Sequence, residues 1–246
     1  MTATAAAAGS TPAPKSLPAR IFGIITSPKE TFQRVAAAPK ILGVLLITIV
    51  LAGIFSALPL TTDAGQQALI AKQEQSVKVM ESLGVKIDPD KMHEQLEKGA
   101  ARAPVMAAVS ALVGAPIVQL ILGGIFFAIF NAALGGEARF KQVWAVIAHA
   151  GVIFALSAIF SGTVNYFRGS IDSIGSLGAL VPMLPETSFV ANFLGAIDVF
   201  IIWWMVVLAM GIAVLYRRRT QPIALTLLSM YAVIAVVVAV FKSRGA

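Results

Sequence analysis

The chain has no cysteine and only two histidines in 246 residues. The first absence excludes disulfides, thiol catalysis and thiolate metal sites. Two histidines without thiolate partners do not build a zinc site. Charge is scarce as well: 13% of residues are Asp, Glu, Lys or Arg, against about a quarter in an ordinary soluble domain. The period-2 alternation of a membrane barrel strand is absent. Enzyme motifs are missing too. His93-Glu94 lacks a second His at the metalloprotease spacing, and there is no Gly-x-Ser-x-Gly elbow and no phosphate-binding glycine loop. Ser157 and Ser161 share a helical stretch with His149 but have no third group to support a nucleophile. A single Asp within the apolar runs excludes a two-aspartate membrane protease. We therefore expect no enzyme, no cofactor and no metal.

Apolar side chains are what the chain has in abundance: 58% of residues are hydrophobic and the mean hydropathy is +0.85. They come in runs of about 20, the length that crosses a hydrocarbon core about 30 Å thick. Backbone groups in lipid must be satisfied internally, so such runs are helices. The expected fold is an all-α polytopic transmembrane helical bundle of about five spans, near residues 41–60, 115–134, 143–163, 190–216 and 222–241. The formal charge of +7 then reflects Lys and Arg retained on one side of the membrane. With no aromatic-basic pattern, nucleic acid is not an expected partner.

Between the runs the chain has its own organisation. Residues 1–18 are rich in Ala, Thr, Ser and Pro and read as a disordered tail. Residues 19–40 read as an interfacial helix region. There Ser27-Pro28-Lys29-Glu30 has the form of a capping box, and Phe32, Val35 and Ala36 share one face. Residues 61–103 carry mixed charge. Leu69, Val77, Met80 and Leu83 recur at near-helical spacing up to Gly84, and Asp88-Pro89 starts a second helix with Met92 and Leu96, so a helical hairpin is expected. Gly114-Ala115-Pro116 is expected to kink or break the helix before the second span. The stretch from Asn165 to Ser188 reads as a loop with room for a re-entrant piece.

Lys15, Arg20, Lys29, Arg34, Lys40, Arg139, Lys141 and Arg217 to Arg219 all fall on one side of this arrangement. The other side has Arg168, Lys242, Arg244 and the nearly neutral hairpin. The positive-inside rule thus places the N-terminus in the cytoplasm and the C-terminus and hairpin outside.

A few residues stand out. Asp198 lies about eight residues into the fourth run, where a carboxylate costs about 2.5–3.5 kcal/mol to insert and needs a partner. His149 in the third run is the natural candidate. Together they would serve an ion or proton step, or else a packing hydrogen bond. Trp203 and Trp204 are too deep for an interfacial belt and suit helix packing. Glu137, Arg139 and Lys141 sit in a tight turn after Gly135-Gly136, either as a partner or headgroup contact or as a capping turn. Arg217, Arg218 and Arg219 suit orientation and contact with anionic lipid. Ala107 and Ala111, Ala128 and Ala132, and Ala209 and Ala213 are small-residue pairs of the kind that lets helices, or copies of the chain, approach closely.

Three stretches resemble the Yip domain family, named for Ypt/Rab-interacting proteins, in its bacterial branch. Ser27-Pro28-Lys29-Glu30-Thr31-Phe32 is similar to the family's N-terminal element. Gly135 to Gln142 is similar to its glycine-glycine-acid loop, and Asp198-Val199-Phe200-Ile201-Ile202-Trp203 with Gly211 to its fourth span. The resemblance covers about residues 20 to 241. It implies a five-span domain in a bacterial cytoplasmic membrane. Eukaryotic members act in vesicle traffic and bind Rab GTPases, a partner that does not transfer to the bacterial branch. The expected function is an integral membrane scaffold or adaptor with an unidentified protein partner and lipid contacts. The alternative is a small channel or transporter built on Asp198 and His149, as an oligomer.

Overall fold

The computed structural model describes residues 16–82, 84, 88–133, 135–185 and 188–244. The α-helices are α1 (Leu17–Thr26), α2 (Pro28–Ala37), α3 (Leu42–Ala57), α4 (Asp63–Ser82), α5 (Pro89–Phe127), α6 (Phe140–Ala150), α7 (Val152–Arg168), α8 (Phe189–Ala196), α9 (Val199–Leu215) and α10 (Thr220–Arg244). Among the described residues there is no strand, only an isolated bridge between Ser176 and Asp198. The chain is an all-α membrane helical bundle. Four helical stretches are long and apolar enough to cross a membrane: Leu42–Thr61, Lys91–Ala132, Phe140–Arg168 and Thr220–Ser243. The fifth apolar helix, α9, has 17 residues and is about 26 Å long at 1.5 Å per residue.

The core draws on α1, α2, α3, α6, α7 and α9. Ile24, Phe32, Val44, Ile153, Leu208 and Ile212 have no exposed surface. In contrast only 11% of the apolar length of α5 and of α10 is buried. Their exposed Leu, Ile and Val side chains form the surface that lipid covers.

Residues 19–40 hold two helices where one was expected, and the first begins at Leu17, within the stretch read as tail. Ser27 leaves the helical conformation between them (φ −146°, ψ +61°), and Pro28 opens the second helix at its first position. The capping box does not form: the Ser27 side chain makes no cap bond, and Glu30 instead pairs with Arg34 one turn on, at 2.5 Å. The two helices fold against each other and bury Ile24, Phe32 and Val35 in the bundle.

The expected break at Gly114 to Pro116 is absent. Helix α5 runs unbroken for 39 residues through Pro104 and Pro116, about 58 Å. Each proline deletes one backbone bond, and the remaining ladder together with the packing of α3 on α5 carries the helix through. The second arm of the hairpin is therefore continuous with the second span. Asp88 caps α5 through the Lys91 N–H at 3.4 Å. His93 lies between Glu74 of α4 and Glu97, 3.4 Å from each. Leu83 lies outside the described residues.

Several small residues pack within the chain. Gly53 of α3 lies against Ala108 and Ala111 of α5. Gly162 of α7 packs so closely on the Phe55 carbonyl that a Cβ would overlap it. Ala209 and Ala213 are buried in α9.

Candidate functional site at the basic end

Asp198 is not inside a continuous fourth helix. The 190–216 run is two helices, broken at Ile197-Asp198, and Asp198 caps the second of them. Its Oδ1 accepts from the N–H groups of Phe200 (2.8 Å) and Ile201 (3.2 Å). The Asp198 N–H donates to the Tyr231 hydroxyl at 2.8 Å, and that hydroxyl donates to the Ala196 carbonyl at 2.8 Å. The loop 169–188 completes the break: Leu177 N–H donates to the Ile197 carbonyl and Val199 N–H to the Gly175 carbonyl. A carboxylate satisfied in this way is a helix start.

His149 is elsewhere. It is fully buried on α6. Its Nε2 lies 3.4 Å from Arg20 Nη1 and its Nδ1 2.7 Å from the Ala145 carbonyl. The guanidinium only donates, so Nε2 accepts and the ring proton sits on Nδ1. Arg20 also donates to the Lys40 carbonyl at 3.2 Å. The pair thus ties α1 to α6, and no hydrogen bond joins His149 to Asp198 among the described residues. Trp203 packs against the core beside Phe200, as expected of a packing residue.

The remaining candidates come together. The C-termini of α2, α5 and α9 and the N-termini of α6 and α10 meet at one end of the bundle. There Gly135, Gly136, Glu137 and Ala138 face Leu215 to Arg218 across a cavity of about 360 Å³. Residues the sequence did not single out complete its wall. The α5 helix ends in a π-helical turn, Ala128–Ala133, a widened turn often found at functional sites. That turn presents Asn131, which donates to the Ala138 carbonyl at 2.6 Å and accepts from the Tyr216 hydroxyl at 2.7 Å. The Tyr216 ring stacks on Phe130 with centroids 4.9 Å apart. Gly136 donates to the Phe130 carbonyl at 2.8 Å. A Cβ on Gly136 would stand 2.5 Å from the Tyr216 ring, so no other residue fits.

Arg217 follows α9 with φ +52°, the one positive φ of a non-glycine among the described residues. Arg218 N–H bonds to the Ala213 carbonyl and Arg217 N–H to the Val214 carbonyl. This is the Schellman ending, in which the residue at the Arg217 position is usually glycine. Glu137, Arg217, Arg218 and Arg219 are exposed, as are Arg139 and Lys141. Arg139 starts α6. Its N–H donates to Gln142 Oε1 at 2.8 Å, and Gln142 Nε2 reaches the Ala36 carbonyl at 2.8 Å, tying the loop to α2. A second cavity of about 480 Å³ lies beside the first, lined by Lys29 and by Ala213 to Gln221 in part, with Arg218 and Arg219 among them.

The three stretches that carried the family resemblance converge here. Phe32 of the first and Val146, just past the second, both close on Gly211 of the third. A Cβ on Gly211 would lie 2.5 Å from Val146 Cγ1 and 3.0 Å from Phe32 Cε1. The family model of the Yip1 domain matches residues 22–241. The chain belongs to the Yip1 domain family. It is 24% identical over 192 residues to the membrane protein YknW of Bacillus subtilis strain 168, a match spanning 78% of this chain and 76% of that protein. No solved structure matches the chain. In this Yip1-domain protein the family stretches therefore serve one packing junction, which fixes the N-terminal helices to the bundle, and one loop that walls the basic cavity.

Proposed function

We propose that this Yip1-domain protein is a membrane scaffold or adaptor that presents its basic end to a partner on the cytoplasmic side of a bacterial cytoplasmic membrane. The observation that carries the reading is the junction of Phe32, Val146 and Gly211. It holds α1 and α2 rigidly in the bundle, so their exposed residues form a fixed face together with the loop after α5 and the arginines after α9. A fixed face costs little ordering entropy on binding, which suits a docking surface. The channel reading needs Asp198 and His149 in one place. Asp198 instead caps α9 and His149 binds Arg20, so that pair gives transport no support.

A photo-reactive residue at Gln33, exposed on α2, tests this against one at Gln75, exposed on α4. The expected result in intact cells is a discrete protein adduct from Gln33 that Gln75 does not give. The same adducts from both positions, or none from Gln33, would overturn the scaffold.

A further inference from the structure

We infer that the cavity between the Gly135-Gly136 loop and Arg217-Arg218 holds the phosphate-bearing headgroup of an anionic phospholipid drawn from the surrounding bilayer. The inference rests on reading the basic end as the protein's contact surface.

The charge is suited to an anion. Arg217 and Arg218 line the cavity, and among the described residues neither guanidinium has an ion-pair partner. Guanidinium forks match phosphate oxygens in pairs. Arg218 also lines the neighbouring cavity with Lys29 and Arg219, so the positive field continues beyond one headgroup. Glu137 on the rim is a hydrogen-bond acceptor for the hydroxyls of a polyol headgroup, which inorganic phosphate does not carry.

The backbone points the same way. Glycine would take the φ of +52° at residue 217 without strain. An arginine stands there instead, and it lines the cavity. A residue that opposes the backbone and faces a pocket suits a binding role better than a folding one.

The apolar part decides between a lipid and a free phosphate. Phe130 and Leu215 line the same cavity. Ile129, next to Phe130, and Ile125, one turn earlier, are about half exposed on the lipid-facing side of α5. A site with guanidinium groups at its rim and apolar side chains leading to lipid fits a molecule that is phosphate at one end and hydrocarbon at the other. Rigidity comes from Asn131, held between Ala138 and Tyr216.

Native mass spectrometry of the intact chain in detergent tests this, with phosphatidylglycerol and with phosphatidylcholine of the same acyl chains. Phosphatidylglycerol should be retained in clear preference. Arg217→Gly and Arg218→Gln should each reduce that retention about five-fold, the scale of one cationic side chain at an anionic surface. Lys242→Gln, at the far end of α10, should leave it unchanged. Because glycine suits position 217, the thermal midpoint of Arg217→Gly should be no lower than that of the wild type. Equal retention of the two lipids, undiminished retention by both arginine variants, or displacement of the lipid by glycerol 3-phosphate at a matching concentration would overturn the inference. A chain that selects phosphatidylglycerol yet gives no Gln33 adduct would retain the lipid site and lose the scaffold.

Discussion

Replacing Tyr231 by Phe removes one oxygen from the break between α8 and α9. That oxygen accepts from Asp198 N–H and donates to the Ala196 carbonyl, each at 2.8 Å. The other backbone groups at the break have their own partners: Ile197 O takes Leu177 N–H, Val199 N–H goes to Gly175 O, and Phe200 and Ile201 N–H go to the Asp198 carboxylate. The substitution thus strands one donor and one acceptor, both partly buried. An unsatisfied buried group costs about 1–3 kcal/mol. We expect the variant to lose about 2–4 kcal/mol, the lower part of the two-group range, because both groups are only partly buried. Hydrogen bonds between membrane helices average only about 0.6 kcal/mol, because unfolded helices in lipid find other partners. The larger figure applies here because α8 and α9 are separate helices and the stranded groups are backbone at a fixed break. Equilibrium unfolding in mixed detergent micelles measures the difference. Tyr166→Phe, at an exposed tyrosine near the end of α7, is the control and should stay within about 0.5 kcal/mol. If Tyr231→Phe behaves like that control, the hydroxyl does not hold the break and the reasoning fails.

Further outcomes follow from the same geometry. Asp198→Ala should lose about 1 kcal/mol as a missing helix cap, while Asp198→Asn, which still offers an oxygen to Phe200 and Ile201, should lose much less. Ion or proton flux in reconstituted vesicles should be the same in both, and a flux abolished by Asp198→Asn at unchanged stability would return Asp198 to a transport role. Because the chain has no native cysteine, single cysteines at Gln75 and Arg218 should react with an impermeant reagent from opposite sides of the membrane; labelling of both from one side would sink the proposed orientation.

Much was legible along the chain because lipid is an unforgiving solvent for the backbone. Runs of apolar residues had to be helices, and the hairpin announced itself through Asp88-Pro89 and the spacing of Leu69, Val77 and Met80. Hydropathy says nothing about continuity, however. The 190–216 run is apolar whether or not the helix breaks, and one of the groups that satisfies the break is a hydroxyl 33 residues further on. The converse holds at Pro116, where local chemistry predicts a break and the neighbouring helices carry α5 through. The cavity wall escaped notice for a related reason: Asn131 and Tyr216 are 85 residues apart, and neither carries a local pattern.

The sequence by itself determined that the chain is a helical membrane protein, and three of its stretches carried the resemblance to the family it belongs to. Those properties depend on composition and local spacing. Tertiary structure alone decided what those residues do. It turned Asp198 from a buried charge into a helix cap, gave His149 to Arg20, closed Phe32 and Val146 on Gly211, and set the arginines after α9 across from the loop after α5. Each depends on which helices lie side by side, and that follows from the packing of small residues such as Gly53, Gly162 and Gly211, whose partners the linear order does not reveal.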